Sequence, residues 1–179
     1  QQLRMPGDED HPPLAIERAS PVAGASRPPV VLVHGFAQNR FTWRLSQRSL
    51  VGALAAQGHD VYNVELRGHG RSREYGADGA GGFADYVSDM VRVVERLDNA
   101  PFLVGHSLGG AVSTATSTRV EVRGLVPIAG VYTFATGNAV LRALGHVSLA
   151  AEPVLQALHL RTAAFGSLLG RLYAVSDIA

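Results

Sequence analysis

The stretch Pro101-Phe102-Leu103-Val104-Gly105-His106-Ser107-Leu108-Gly109-Gly110 joins a short apolar run of strand character to residues that open a helix, with a serine between two glycines at the junction. In a chain with 20 glycines the pattern Gly-x-Ser-x-Gly is modest by itself, and its placement carries the meaning. A strand that turns sharply into a helix lifts the residue at the bend clear of the sheet and strains its backbone, so the flanking positions must be tiny. Gly105 and Gly109 meet that need. The bend also leaves the Leu108 N–H unpaired at the helix N-terminus, where it and the helix dipole favour negative charge. Ser107 is therefore a candidate nucleophile with one oxyanion donor beside it. His106 is expected to be directed into the fold rather than to form a dyad, because adjacent residues on a tight turn project in different directions.

Working outward, Val30-Val31-Leu32-Val33 is a continuous apolar, β-branched run, the signature of a strand buried on both faces of a parallel sheet. A turn at His34-Gly35 follows. Leu50, Val51, Leu54 and Ala55 recur at helical spacing, and Gly58 stands where that helix would end, before a strand at Val61–Val64. Gly68 to Gly82 reads as loop. Phe83, Tyr86, Met90, Val94 and Leu97 then mark one face of an amphipathic helix. The strand at Phe102–Val104, the helix from Leu108 and a strand at Leu125–Ile128 complete the alternation. This is the pattern of an α/β, doubly wound, mostly parallel sheet. Residues 1–29, with six prolines, read as a loose lead-in in which Leu14-Ala15-Ile16 could be an edge strand. Residues 30–130 form the core portion, and the Ala- and Leu-rich residues 131–179 read as a helical cap.

A second oxyanion donor must come from the loop after an earlier strand. His34-Gly35-Phe36 supplies a glycine-bearing turn there, and the Phe36 N–H is assigned as that donor. His34 is expected to brace the loop rather than to transfer protons.

With His34-Gly35-Phe36 first, Glu65-Leu66-Arg67-Gly68-His69-Gly70-Arg71-Ser72 next and Gly105-His106-Ser107-Leu108-Gly109-Gly110 last, the chain resembles the α/β-hydrolase family over about residues 28 to 131. The resemblance implies that the first motif carries the oxyanion loop, the middle one a conformationally constrained turn and the third the nucleophile elbow. Arg67, His69 and Arg71 are read as a polar turn packed by its own glycines rather than as an anion site. The resemblance also implies a triad whose acid and histidine follow the nucleophile in chain order. After Ser107 the carboxylates are Glu121, Glu152 and Asp177 and the histidines His146 and His159. None is at a convincing strand end.

The strands found correspond to the third through sixth of that fold, so the expectation is an incomplete sheet. The C-terminal strands, with the triad acid and histidine, would come from a missing segment or from a second polypeptide after cleavage near Ala179, since a bare parallel edge is a poor solution for a stable protein.

Composition narrows the function. With 16 Lys and Arg against 15 Asp and Glu, nothing points to nucleic acid. No cysteine is present, which removes thiolate metal sites and cysteine nucleophiles. No apolar run reaches the roughly 20 residues of a membrane span. A cytoplasmic location is slightly favoured, and secretion stays open if an N-terminal segment was removed. The expected activity is hydrolysis of a fairly apolar carboxylic ester or thioester through a Ser107 acyl-enzyme, with no metal and no cofactor. The alternatives are an acyltransferase or perhydrolase on the same fold, or a binding protein that has lost the triad. Dehalogenase chemistry is disfavoured, because relatives of that kind carry Asp where Ser107 stands.

Overall fold

A computed structural model describes residues 1–22, 27–44, 48–77 and 82–130. The expected helical cap at 131–179 lies outside the described residues. Among the described residues six strands form one sheet in the order β1-β2-β4-β3-β5-β6: β1 (Gln2–Met5), β2 (Leu14–Ala19), β3 (Arg27–Val33), β4 (His59–Glu65), β5 (Phe102–His106) and β6 (Gly124–Ile128). β4, β3, β5 and β6 run parallel to one another, whereas β1 and β2 are antiparallel additions. The helices among the described residues are α1 (Leu50–Ala56), α2 (Gly70–Glu74), α3 (Phe83–Glu95) and α4 (Leu108–Ser117), with one 3₁₀ turn at Arg40–Trp43.

The two faces of β3 show why the sheet is wound on both sides. Because strand side chains alternate, Val31 and Val33 pack with Met90, Val94, Leu103 and Val112 beneath α3 and α4. Val30 and Leu32 pack instead with Trp43, Val51, Ala55 and Val61 against α1. Both faces of the strand are thus covered, as its unbroken apolar run requires. The amphipathic face of α3 is buried through Val87, Met90, Val93 and Val94, while Phe83 at its start is exposed. Gly58 follows α1 with φ 93°, and its N–H closes the helix on the Ala55 carbonyl at 3.0 Å. That left-handed position is one a glycine takes without cost.

The N-terminal segment departs from the expected loose lead-in. β1 and β2 form a hairpin added to β4, and β2 lies inside the sheet rather than at its edge, with Leu14, Ala15 and Ile16 buried. The hairpin is fastened by distant partners that local sequence cannot reveal. Arg92 of α3 donates to the Asp8 carboxylate at 3.1 Å and to the Pro12 carbonyl at 2.9 Å. His11 bridges Asp8 and Ser88, at 2.8 Å to each. This carboxylate, imidazole and hydroxyl chain has the composition of a catalytic triad, but Ser88 sits mid-helix, where the neighbouring N–H groups belong to the helix ladder. With the helix N–H groups around Ser88 committed in this way, the chain acts as a clasp.

A second difference is α2, which falls in the stretch read as loop. It is too short to be marked by periodicity, and a buried side chain supports it: the Glu65 carboxylate accepts from the Arg71 N–H at 2.9 Å. At the other edge, β6 has no strand on its outer side among the described residues, and Val126 and Ile128 are 48% and 42% exposed.

Burial sets the expected response to mutation. Leu103→Ala, at a fully buried position on β5, is expected to cost about 2–4 kcal/mol of unfolding free energy. Gly52→Ala on the exposed face of α1, where a Cβ meets nothing closer than 3.5 Å, should add up to about 1 kcal/mol. Urea unfolding midpoints measure both.

Candidate functional site

The strand order places two connections side by side. From β3 the chain crosses to β4 on one side, while β5 lies on the other, so the C-terminal ends of β3 and β5 open onto a crevice where α/β sheets bind their ligands. Residues 34–38 leave β3 at that end, and Ser107 leaves β5 there. Had a side chain stood on Gly35, its Cβ would lie 3.2 Å from Ser107 Cβ and 3.0 Å from His106 Nδ1, so the two bends are in contact.

Ser107 has φ 51° and ψ −115°, a conformation that costs a non-glycine residue on the order of 1–3 kcal/mol. Its surroundings hold it there. The Ser107 N–H donates to the Ile128 carbonyl of β6 at 2.9 Å, and its own carbonyl accepts from Gly110 and Ala111 at 3.0 and 3.2 Å. The side chain makes no capping bond to α4, so Oγ is left for other partners. The bend is tight because its flanks are glycine: a Cβ on Gly105 would come within 2.5 Å of the Gly109 carbonyl carbon, and one on Gly109 within 2.5 Å of the His34 carbonyl oxygen. Leu108 is the first residue of α4, and its N–H has no acceptor among the described residues.

The turn after β3 yields to an account of its donors. The Gly35 N–H goes to Gln38 Oε1 at 2.9 Å, the Ala37 N–H to His69 Nε2 at 3.3 Å, and the Gln38 N–H to the Gly35 carbonyl at 3.3 Å. The Phe36 N–H alone in this turn has no acceptor among the described residues, and the Phe36 side chain is 71% exposed. Ala37 is left-handed, with φ 56°, a further strained position beside the first.

The histidines here are all engaged. His34 is fully buried, its Nδ1 donating to the Gly35 carbonyl at 2.8 Å and its Nε2 accepting from the Leu66 N–H at 3.1 Å, so it ties the turns after β3 and β4 together. Burial pushes its pKa down to about 4. His69 Nδ1 donates to the Arg67 carbonyl at 2.8 Å, and burial lowers its pKa too. His106 is half-buried. It shares a strand face with Val104, on the side that packs toward α1, and reaches Gln38 Oε1 at 3.1 Å. Among the described residues no imidazole bonds to Ser107 Oγ. Glu121 precedes β6, at the far end of the sheet from Ser107, and Glu152, Asp177, His146 and His159 lie outside the described residues.

The middle motif is more than a turn packed by glycines. Arg67 makes a two-pronged pair with the fully buried Asp89 of α3, at 2.7 and 2.9 Å. Glu65 receives Arg40 at 2.9 Å, and the Glu65 carboxylate fills the space where a side chain on Gly70 would be. Gln38, Arg40 and Asp89 gave no signal in the sequence, since Arg40 and Asp89 act on residues far away along the chain and Gln38 joins its own turn to the distant His106. No group of three histidine, aspartate or glutamate residues able to hold a metal ion occurs among the described residues, and none of their helices is long and apolar enough to cross a membrane.

A mostly parallel sheet with helices on both faces, carrying a strained serine at a strand-to-helix bend, defines the architecture of the α/β hydrolases. The chain belongs to the alpha/beta hydrolase family, which it matches over residues 30–177. It is 36% identical over 87 residues to Epoxide hydrolase B of Mycobacterium tuberculosis, a stretch covering 48% of this chain and 23% of that protein. A monoacylglycerol lipase structure from Paleococcus ferrophilus superposes with TM-score 0.58 at 27% identity, covering 75% of this chain and 50% of that one. A carboxylesterase structure from the thaumarchaeon Nitrososphaera gargenis gives 0.63 at 23% identity, covering 84% and 53%, a likeness of fold. The chain thus spans about half the length of these solved structures and a smaller share of the curated relative.

Two outcomes follow. Unfolded, His34 titrates near 6.5; folded, near 4. Below pH 6.5 the unfolded chain gains a proton that the folded chain refuses, so the stabilisation is full above 6.5 and is lost as the pH falls toward 4. The loss is on the order of 3 kcal/mol. His34→Gln should flatten the pH dependence of urea unfolding across this window relative to the wild type. Separately, Gly109→Ala must displace α4 from the β3 backbone and is expected to destabilise by about 2 kcal/mol or more, read by thermal unfolding.

Proposed function

We propose that Ser107 is the nucleophile of a carboxylic ester or thioester hydrolase. The observation that carries this reading is the convergence of two strained turns. One presents a serine hydroxyl with no partner in its own helix, and the other presents a single uncommitted N–H, that of Phe36, at the point where the turns touch. The Leu108 N–H is the second donor, at the positive end of α4.

In the reaction, a histidine base takes the Oγ proton as the alkoxide adds to the substrate carbonyl. The Phe36 and Leu108 N–H groups hold the developing oxyanion. Collapse expels the alcohol or thiol, which takes the proton back from the imidazolium, and leaves a Ser107 acyl ester. Water, deprotonated by the same base, then releases the acid. That base and the carboxylate orienting it come from outside the described residues, in a later segment of the protein or in a second polypeptide completing the sheet beside β6. The exposed Phe36 ring, adjacent to the contact between the turns, offers apolar surface to the acyl or alcohol portion, which favours a fairly apolar substrate.

The similarity to an epoxide hydrolase does not favour epoxide opening here. Attack of Ser107 Oγ on an epoxide carbon would form a dialkyl ether, which has no carbonyl for water to attack, so turnover would stop after one event. An acyl transfer leaves an ester that water cleaves.

The test is labelling of the complete enzyme with a fluorophosphonate, together with hydrolysis of p-nitrophenyl butyrate. Labelling at Ser107 is expected, and Ser107→Ala should abolish it and lower kcat by at least about 10⁴-fold. An intact enzyme that hydrolyses the ester while remaining unlabelled at Ser107 would overturn the assignment.

A further inference from the structure

We infer that Gln38 is the positioning residue of the oxyanion turn, a role that deepens, and rests on, the reading of Ser107 as nucleophile. Three groups converge on Gln38 Oε1: the Gly35 N–H at 2.9 Å, His106 Nδ1 at 3.1 Å and Thr42 Oγ1 at 3.3 Å. A main-chain N–H can only donate, so the side-chain atom facing Gly35 is the amide oxygen. The same oxygen faces His106, whose Nδ1 therefore carries the ring proton and donates it.

This one acceptor does two things. It draws the Gly35 N–H away from the crevice and commits it, so that the next amide along the turn, that of Phe36, is the one left to meet an oxyanion. It also ties the turn after β3 to the residue immediately before Ser107 on β5, which fixes the separation between the Phe36 and Leu108 donors. Among the main-chain N–H bonds of Gly35, Ala37 and Gln38, that of Gly35 is the shortest. The Ala37 N–H to His69 and the Gln38 N–H to Gly35 each span 3.3 Å, near the long limit for a hydrogen bond, and they must hold Ala37 at φ 56°. Donors matter in an oxyanion site only when they are fixed before charge develops, so a loosened turn lowers the rate without altering ground-state binding.

Two variants of the complete enzyme test this. Gln38→Met keeps the length of the side chain and removes the acceptor. It is expected to lower kcat for p-nitrophenyl butyrate about 10–100-fold, with KM changed less than about threefold, because the donor is displaced rather than deleted. Gln38→Glu keeps an oxygen acceptor on the same stem. Nitrogen NMR of His106 should then show the Nδ1–H tautomer in the wild type and in Gln38→Glu, and its loss in Gln38→Met. A Gln38→Met enzyme with kcat within twofold of the wild type, a loss confined to KM, or a His106 tautomer that is the same in all three proteins would overturn the role given to Gln38. Fluorophosphonate labelling of the wild type separates this from the reading beneath it. No label on Ser107 removes the nucleophile assignment itself, whereas a labelled wild type beside an unaffected Gln38→Met removes only the positioning role.

Discussion

The close approach of α4 to the backbones of β3 and β5 is the contact on which the rest of the site depends. It exists because Gly105 and Gly109 have no side chains. A single methyl group at either would enter the space of a main-chain carbonyl group, of Gly109 in one case and of Val33 and His34 in the other. With the helix seated this closely, the connecting residue has no relaxed conformation open to it, and Ser107 takes φ 51°. The strain is held by the bond from its N–H to Ile128 and by the first turn of α4. The geometry of the serine is thus a consequence of packing between backbones.

Around this contact the protein spends its buried polar groups on fixing loops. His34 joins the turns after β3 and β4, Arg67 anchors the second of those turns to α3 through Asp89, and Glu65 supports both the Arg40 segment and the start of α2. Leaving one partner of such a buried pair alone would cost several kcal/mol, so these loops are rigid in proportion to how deeply their anchors lie. A rigid frame is what an oxyanion site needs, because its donors contribute most when they require no rearrangement as charge appears.

The two faces of the sheet divide the labour. The α3 and α4 side carries the larger apolar cluster and receives the N-terminal hairpin through Arg92 and His11. The α1 side carries the smaller cluster around Trp43, and above it the turn of Gln38 meets His106. Chemistry is therefore proposed where the turns after β3 and β5 meet at the ends of their strands, while stability is concentrated in the clusters on the two faces.

What the sequence determined by itself was whatever local pattern encodes. The apolar run Val30–Val33, the helical spacing of Met90 and Val94 and the glycine-flanked Ser107 were enough for an α/β, doubly wound, mostly parallel sheet with the serine at a bend. The same patterns could not mark β1, four residues long, or α2, whose support is a carboxylate from another element. They directed His106 into the fold without naming its partner, which is Gln38. Tertiary structure decided the meeting of Gln38 with His106, of Arg40 with Glu65, of Asp89 with Arg67 and of Arg92 with Asp8 and Pro12, because each of these bonds joins residues that are remote along the chain and meet only when the strands take the order β1-β2-β4-β3-β5-β6. Periodicity is a property of neighbours in sequence, and a hydrogen bond across a fold is not.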